Sequence, residues 1–74
     1  MPHVADSIKL FKAHAYGNDF LLTSHELPAG TDPSALARAV CDRHYGVGAD
    51  GLILVERQPA GASMTLYNPD GTRP

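Results

Sequence analysis

A single cysteine, Cys41, is the feature that most constrains how this chain can fold. One cysteine cannot form an internal disulfide, and a chain of 74 residues has only a small hydrophobic core to stabilise it. The sequence therefore excludes a disulfide-stapled secreted scaffold and indicates a reducing, cytoplasmic setting. With 43% hydrophobic residues, the chain is predicted to form one small globular domain, 1–74, in which 1–6 are a flexible tail.

The charge balance argues against two classes of partner. Six basic and eight acidic residues give a formal net charge of −2, which provides no basic surface for nucleic acid or for an anionic membrane. The longest aliphatic run extends only from Leu52 to Val55, whereas a membrane-spanning helix needs about 20 apolar residues. We therefore expect no nucleic-acid partner and no membrane partner.

Hydrophobic spacing and turn residues predict an α+β fold in the order strand, strand, helix, strand, strand. The predicted strands are 7–15, 20–23, 52–56 and 63–67. The first two form a hairpin with Asn18 at its apex, after Gly17. Asp32 as N-cap begins a helix predicted over 33–45, and Gly46 is predicted to close it in a left-handed conformation.

Two patterns associated with chemistry are interpreted as structural. G-V-G-A-D-G at 46–51 matches the dinucleotide-binding pattern G-x-G-x-x-G, but that site needs a strand before it and a helix after it. Here the predicted order is reversed, which favours a helix cap followed by a turn. Cys41 and His44 share a helix face, as a nucleophile and its base would, yet that face is apolar, which favours packing.

The remaining polar residues allow two interpretations. No metal site is predicted, because the histidines lack ligand spacing; they are His3, His14, His25 and His44. Local hydrogen bonds at turns and helix ends account for three carboxylates, namely Asp19, Asp42 and Asp50. Asn18 and Asn68 are turn residues by position, and their neutral amides could instead orient the ammonium or carboxylate of an amino acid.

Three ordered segments resemble the opening motifs of the diaminopimelate epimerase family. H-A-Y-G-N-D-F at 14–20 resembles H-G-x-G-N-D-F, and C-D-R-H-Y-G-V-G-A-D-G at 41–51 matches C-D-R-H-x-G-V-G-A-D-G. Y-N-P-D-G-T at 67–72 resembles F-N-A-D-G-S. Each motif alone is a weak signal, but the three in the same order and at similar spacing are a strong one. The resemblance extends from about Lys9 to Pro74.

The resemblance implies a cofactor-independent epimerase that interconverts LL- and meso-2,6-diaminopimelate in lysine biosynthesis. In that family two cysteines transfer protons on opposite faces of the α-carbon, without pyridoxal phosphate. The fold has two similar halves, each a curved mixed sheet or barrel around a central helix, with the site between them. This chain corresponds to the first part of the first half, and a homodimer is expected for the complete enzyme.

Position by position, the resemblance assigns substrate binding to Asn18 and Asn68 and assigns no catalytic residue. The first catalytic cysteine of the family lies in a C-G-N-G motif a few residues after the turn at 68–72, and Cys41 aligns with a different, structural cysteine. We therefore expect an N-terminal portion that pairs with the rest of the epimerase chain and is inactive alone. The alternatives are a related two-cysteine racemase or isomerase, and a non-catalytic fragment that assembles with the remaining fold.

Overall fold

A computed structural model of the chain describes residues 8–24 and 26–74. Four strands and one helix follow in the order β1 (Phe11–Ala15), β2 (Asn18–Ser24), α1 (Pro33–Cys41), β3 (Gly51–Gln58) and β4 (Gly61–Tyr67). The predicted α+β class and element order are confirmed. The proposed tail at 1–6 and the predicted strand start at Ser7 lie outside the described residues, as do His3 and His25.

The strands form one sheet in the order β1-β2-β3-β4. β1 and β2 pair antiparallel, as do β3 and β4, whereas β2 and β3 pair in parallel through the crossover that contains α1. The register sets Leu21 beside Leu52, and Leu52 beside Tyr67. The sheet is therefore mixed, and α1 packs against β3 and β4.

One face of the sheet and α1 enclose the core. Its largest fully buried side chains are Leu21 and Leu52, and the other members of the core cluster are Ala37, Cys41, Ala49 and Leu54. Small residues on α1 let the nine-residue helix lie close to the sheet. The one helix in the described ranges is less than half as long as a bilayer-spanning helix.

The helix begins as predicted and ends four residues earlier than predicted. The Asp32 carboxylate accepts a hydrogen bond from the Ser34 N–H at 3.1 Å, so Asp32 is the N-cap. Helix α1 ends at Cys41 because the Asp42 carboxylate accepts the N–H groups of His44 (2.7 Å) and Tyr45 (3.1 Å). A side chain that bonds to nearby backbone in this way competes with the helical hydrogen-bond pattern.

The predicted left-handed cap at Gly46 is wrong. In the connection between α1 and β3 the glycine with positive φ is Gly48 (φ 89°), and its N–H donates to the Val40 carbonyl at 2.9 Å. Gly46 is required for a different reason, since a Cβ there would overlap the Ala39 carbonyl oxygen of α1. The connection after α1 thus folds back over the helix end and supplies donors to its last carbonyls.

The opposite face of the sheet has no layer over it in the described residues. The register aligns one apolar row across all four strands, made of Phe11, Leu22, Ile53 and Leu66. Phe20, Val55 and Met64 extend this row, and Phe11 and Met64 remain 66% and 68% exposed. We call this surface the open face; its apolar character contrasts with the polar outer face usual for a half-buried sheet.

Candidate functional site

The structure brings Asn18 and Asn68 to the same end of the sheet. Asn18 is the first residue of β2, and Asn68 directly follows β4. The register pairs Phe20 with Gly51 and Leu52 with Tyr67, so only β3 separates the two asparagines. The register sets Phe20 level with Asn68 across β3, and Asn18 lies two residues further along β2. With ~4.8 Å between strands and ~3.3 Å per residue, the two backbone positions are about 12 Å apart, a separation that two amide side chains and an amino acid between them can bridge.

Strand alternation places both asparagines on the open face. Asn18 lies two and four residues before Phe20 and Leu22 of β2, so it shares their face of the sheet. Asn68 lies two residues after Leu66 of β4 and continues the face of Met64 and Leu66. Asn18 is exposed, and Asn68 is half-buried. The two amides therefore point toward the side of the sheet that carries no helix.

The predicted position of Asn18 at the hairpin apex is wrong by one residue. Ala15 pairs with Asn18, so the loop contains only Tyr16 and Gly17. Both have positive φ, 52° and 81°, the pattern of a type I′ turn, whose twist matches that of the flanking strands. Asn18 thus has strand geometry, which fixes its face more firmly than a loop apex would.

An ion-pair network holds the start of β2, and its members come from three segments. Asp19 contacts the Lys12 ammonium of β1 and the Arg43 guanidinium after α1, each at 3.0 Å. Arg43 also contacts Asp50 at 3.2 Å, and Lys12 donates to the Gly48 carbonyl at 2.8 Å. We call the four charged residues the Asp19 network.

Backbone bonds tie the same segments together. The Asp19 N–H donates to the Asp50 carboxylate at 2.9 Å, and the Asp50 N–H donates to the Asp19 carbonyl at 2.8 Å. The earlier interpretation of Asp19 and Asp50 as locally bonded turn residues is therefore wrong, because the two carboxylates link positions 31 residues apart. For Asp42 the local interpretation is confirmed.

The network perturbs the ionisation of its central carboxylate. The Asp19 side chain is only 14% exposed, and hydrogen bonds from Arg43 and then Lys12 hold the pKa of Asp19 well below its ordinary value of 3.8. Asp19 reciprocally raises the pKa of the Arg43 guanidinium. Both groups stay charged near neutral pH, so they act as fixed structural charges and not as an acid and a base.

A compact turn holds Asn68. The Gly71 N–H donates to the Asn68 carbonyl at 2.9 Å, and the Asn68 N–H donates to the Thr72 carbonyl at 2.7 Å. The Ser34 hydroxyl of α1 donates to the Gly71 carbonyl at 2.6 Å and so anchors the turn to the helix. Gly71 has φ 89°, and a Cβ there would lie 2.6 Å from the Ser34 hydroxyl oxygen. Both the backbone conformation and the lack of space therefore favour glycine at this position.

Cys41 packs in the core as predicted, and the glycine pattern at 46–51 is a structural connection as predicted, although its left-handed glycine is Gly48 and not Gly46. The Cys41 side chain is 3% exposed in the core, and desolvation raises the pKa of its thiol. A buried thiol of raised pKa is poorly suited to proton abstraction. Segment 46–51 runs from the end of α1 into β3, the reverse of a dinucleotide-binding order. Across 8–24 and 26–74, no cluster of three potential ligands forms a metal site.

Several curated proteins similar to this chain are diaminopimelate epimerases. The chain is 49% identical over 67 residues to a diaminopimelate epimerase of Desulforudis audaxviator, covering 85% of this chain and 23% of the relative. It is 50% identical over 64 residues to one of Pelotomaculum thermopropionicum, covering 82% and 23%. A Methanopyrus kandleri diaminopimelate epimerase is 37% identical over 68 residues, covering 88% and 24%. No protein-family model matches the chain.

The chain spans about a quarter of the length of the curated relatives it matches. Within that quarter the identity is high enough to show common ancestry, and it extends over most of this chain. The resemblance first indicated by the three motifs is thereby confirmed: this chain is similar to part of a diaminopimelate epimerase.

Proposed function

We propose that this chain forms part of a diaminopimelate epimerase and contributes Asn18 and Asn68 to its substrate site. The observation that carries the proposal is the placement of both amides at one end of the sheet, on its open face. A neutral amide offers donors and an acceptor without acting as a base, which suits orienting the ammonium and carboxylate groups of an amino acid. The similarity to diaminopimelate epimerases supplies the substrate class.

The proposed reaction exchanges a proton at the α-carbon. One thiolate removes the α-proton from one face, and a thiol on the opposite face donates its proton, so the centre inverts and the two sulfurs exchange protonation states. No pyridoxal phosphate enters this scheme. The burial of Cys41 supports assigning both sulfurs to the rest of the enzyme. The 74 residues alone then lack the proton-transfer groups, and we expect them to be inactive.

The open face supports the finer fold that the resemblance implies. Apolar side chains on all four strands face away from α1, and Phe11 is 66% exposed. A monomeric protein rarely leaves so continuous an apolar surface in water. We propose that a helix from the remainder of the enzyme covers this face, so that the sheet curves around it in the first of two similar halves. The asparagines would then border the site between sheet and remainder.

The remaining parts of the proposal concern the complete protein. Its setting would be the reducing cytoplasm, in keeping with a single cysteine in the 74 residues, and its state a homodimer. The small-molecule substrate and the rest of the epimerase chain are the partners proposed. A related two-cysteine racemase or isomerase acting on another amino acid is the alternative activity, and a non-catalytic fragment that assembles with the rest of the fold is the alternative outside enzymes.

A hybrid enzyme tests the proposal directly. This chain replaces the matching segment of the Pelotomaculum thermopropionicum relative, and deuterium entry from D2O at the substrate α-carbon is followed by mass spectrometry. Diaminopimelate should exchange and other amino acids should not. Exchange with another amino acid alone would indicate the racemase. A folded hybrid without any exchange would contradict the enzyme assignment.

Two substitutions in the hybrid enzyme test the asparagines. Each of Asn18→Ala and Asn68→Ala removes a hydrogen bond to a charged substrate group, which is worth about 1.5–3 kcal/mol, so kcat/KM should fall about 10- to 100-fold. The matched control is Gln58→Ala, which removes an amide at the opposite end of β3, where Gln58 pairs with Gly61. Gln58→Ala should leave kcat/KM unchanged. Equal effects of all three variants would contradict the proposed site.

A further inference from the structure

The side chain of Asn68 belongs to a short chain of hydrogen bonds. Its Nδ2 lies 3.1 Å from the Thr72 hydroxyl oxygen, and that hydroxyl lies 2.6 Å from Oδ1 of Asp70. The Thr72 N–H also donates to Asp70 Oδ1 at 2.9 Å. The side chains of Asn68, Thr72 and Asp70 are thus linked in that order by two hydrogen bonds within one turn.

The direction of these hydrogen bonds follows from the number of protons available. The side-chain and backbone hydrogen bonds from Thr72 lower the pKa of Asp70, so its carboxylate is ionised and can only accept. The single hydroxyl proton of Thr72 is therefore donated to Asp70. The Thr72 oxygen has only lone pairs left, so the group of Asn68 that faces it must be the donating NH2.

The amide of Asn68 is consequently held in one of its two orientations. Rotation of the amide by 180° would set its carbonyl oxygen against the Thr72 oxygen, with no proton between them. The backbone bonds between Asn68 and Thr72 keep the two side chains adjacent, and the Ser34 hydroxyl holds the turn against α1. Within the described residues no group donates to Asn68 Oδ1, which leaves this acceptor available to a ligand.

We propose that Thr72 and Asp70 are positioning residues that fix the Asn68 amide with Oδ1 directed to the substrate. This inference rests on the proposed function, in which Asn68 binds an amino acid. A fixed acceptor selects a hydrogen-bond donor, and the donor of an amino acid is its ammonium group. Fixing the amide before binding also removes the cost of ordering it when the substrate arrives.

The test is a set of variants in the hybrid enzyme. Thr72→Val keeps the shape of the side chain and removes the hydroxyl, so kcat/KM should fall about three- to tenfold, mainly through a higher KM. Thr72→Ser restores the hydroxyl and should return kcat/KM close to its original value. The matched control is Thr65→Val on β4, which should leave both kinetic constants unchanged.

A double-mutant cycle separates positioning from structural support. In the Asn68→Ala background, Thr72→Val should have no further effect on KM, because the amide it orients is gone. An additional loss of the same size there would overturn the proposal, since it would show that Thr72 supports the turn without acting through Asn68. Thermal unfolding of every variant is measured beside the kinetics to identify general destabilisation.

The outcomes also distinguish this inference from the function on which it rests. If Asn68→Ala lowers kcat/KM and Thr72→Val does not, the positioning role is overturned and the substrate role of Asn68 stands. If Asn68→Ala leaves kcat/KM unchanged while the hybrid enzyme exchanges deuterium, Asn68 is not a substrate ligand and both roles are overturned.

Discussion

The two faces of the sheet should respond very differently to the same substitution. Leu52 on the helix-facing side is completely buried, and Leu66 on the open face is only half-buried. In Leu52→Ala the lost burial of about three methylene equivalents, ~0.8 kcal/mol each, comes to roughly 2.4 kcal/mol. A residual cavity under α1 raises the expected loss to about 2–5 kcal/mol. Leu66→Ala leaves no closed cavity, so its expected loss is about 1 kcal/mol.

Urea unfolding of the 74-residue chain, followed by far-UV circular dichroism, measures both losses. With a slope of about 1 kcal/mol per molar urea for so small a chain, Leu52→Ala should lower the midpoint by about 2 M or more and Leu66→Ala by about 1 M. In the hybrid enzyme, where we propose that a helix covers the open face, Leu66→Ala should become as costly as Leu52→Ala. Equal losses in the short chain would refute the assignment of the core to one face. An unchanged small loss for Leu66→Ala in the hybrid would refute the covering helix.

Two further predictions concern titratable groups. The Cys41 thiol should react with iodoacetamide more slowly in the folded chain than in urea, because it is 3% exposed and its pKa is raised; equal rates would contradict its burial. Asp19→Asn should destabilise the chain at pH 7, and the difference from the unvaried chain should shrink as the pH falls below about 4. The sign follows from the lowered pKa of Asp19, whose stabilisation is present above its unfolded pKa and is lost as it becomes protonated. A difference that does not vary with pH would show that the Asp19 charge is not involved.

Local signals were sufficient to predict the elements from the sequence. Asp32 followed by Pro33 identified the start of the helix, and alternating residues or short apolar runs between turn residues identified the strands. The end of the helix was missed because Asp42 satisfies two backbone donors outside the helix, a local competition that periodicity does not report. Tyr16 concealed the two-residue turn, since a tyrosine is an uncommon residue at positive φ.

The two asparagines of the candidate site were predicted from the sequence, but the Asp19 network beside them was not. Its residues meet only because β2 pairs in parallel with β3, which is distant in sequence. Until β2 is known to pair with β3, neither Asp19 nor Asp50 considered alone shows that the two are neighbours. A signal did exist, because each of the first two motifs carries charged residues of the Asp19 network, at positions 19, 43 and 50. Opposite charges recurring in separate motifs favour a contact between them, whereas each carboxylate considered singly suggests a local cap.

The Asp19 network and the asparagine site are connected by the period of a strand. Successive side chains point to opposite faces, so a network that holds Asp19 against the loop after α1 obliges Asn18 to point to the open face. The length of the two-residue turn also determines which of the two residues lies on which face. One added residue would exchange the faces of Asn18 and Asp19. The charged groups on the helix side therefore determine where an uncharged amide lies, which is on the opposite face of the sheet.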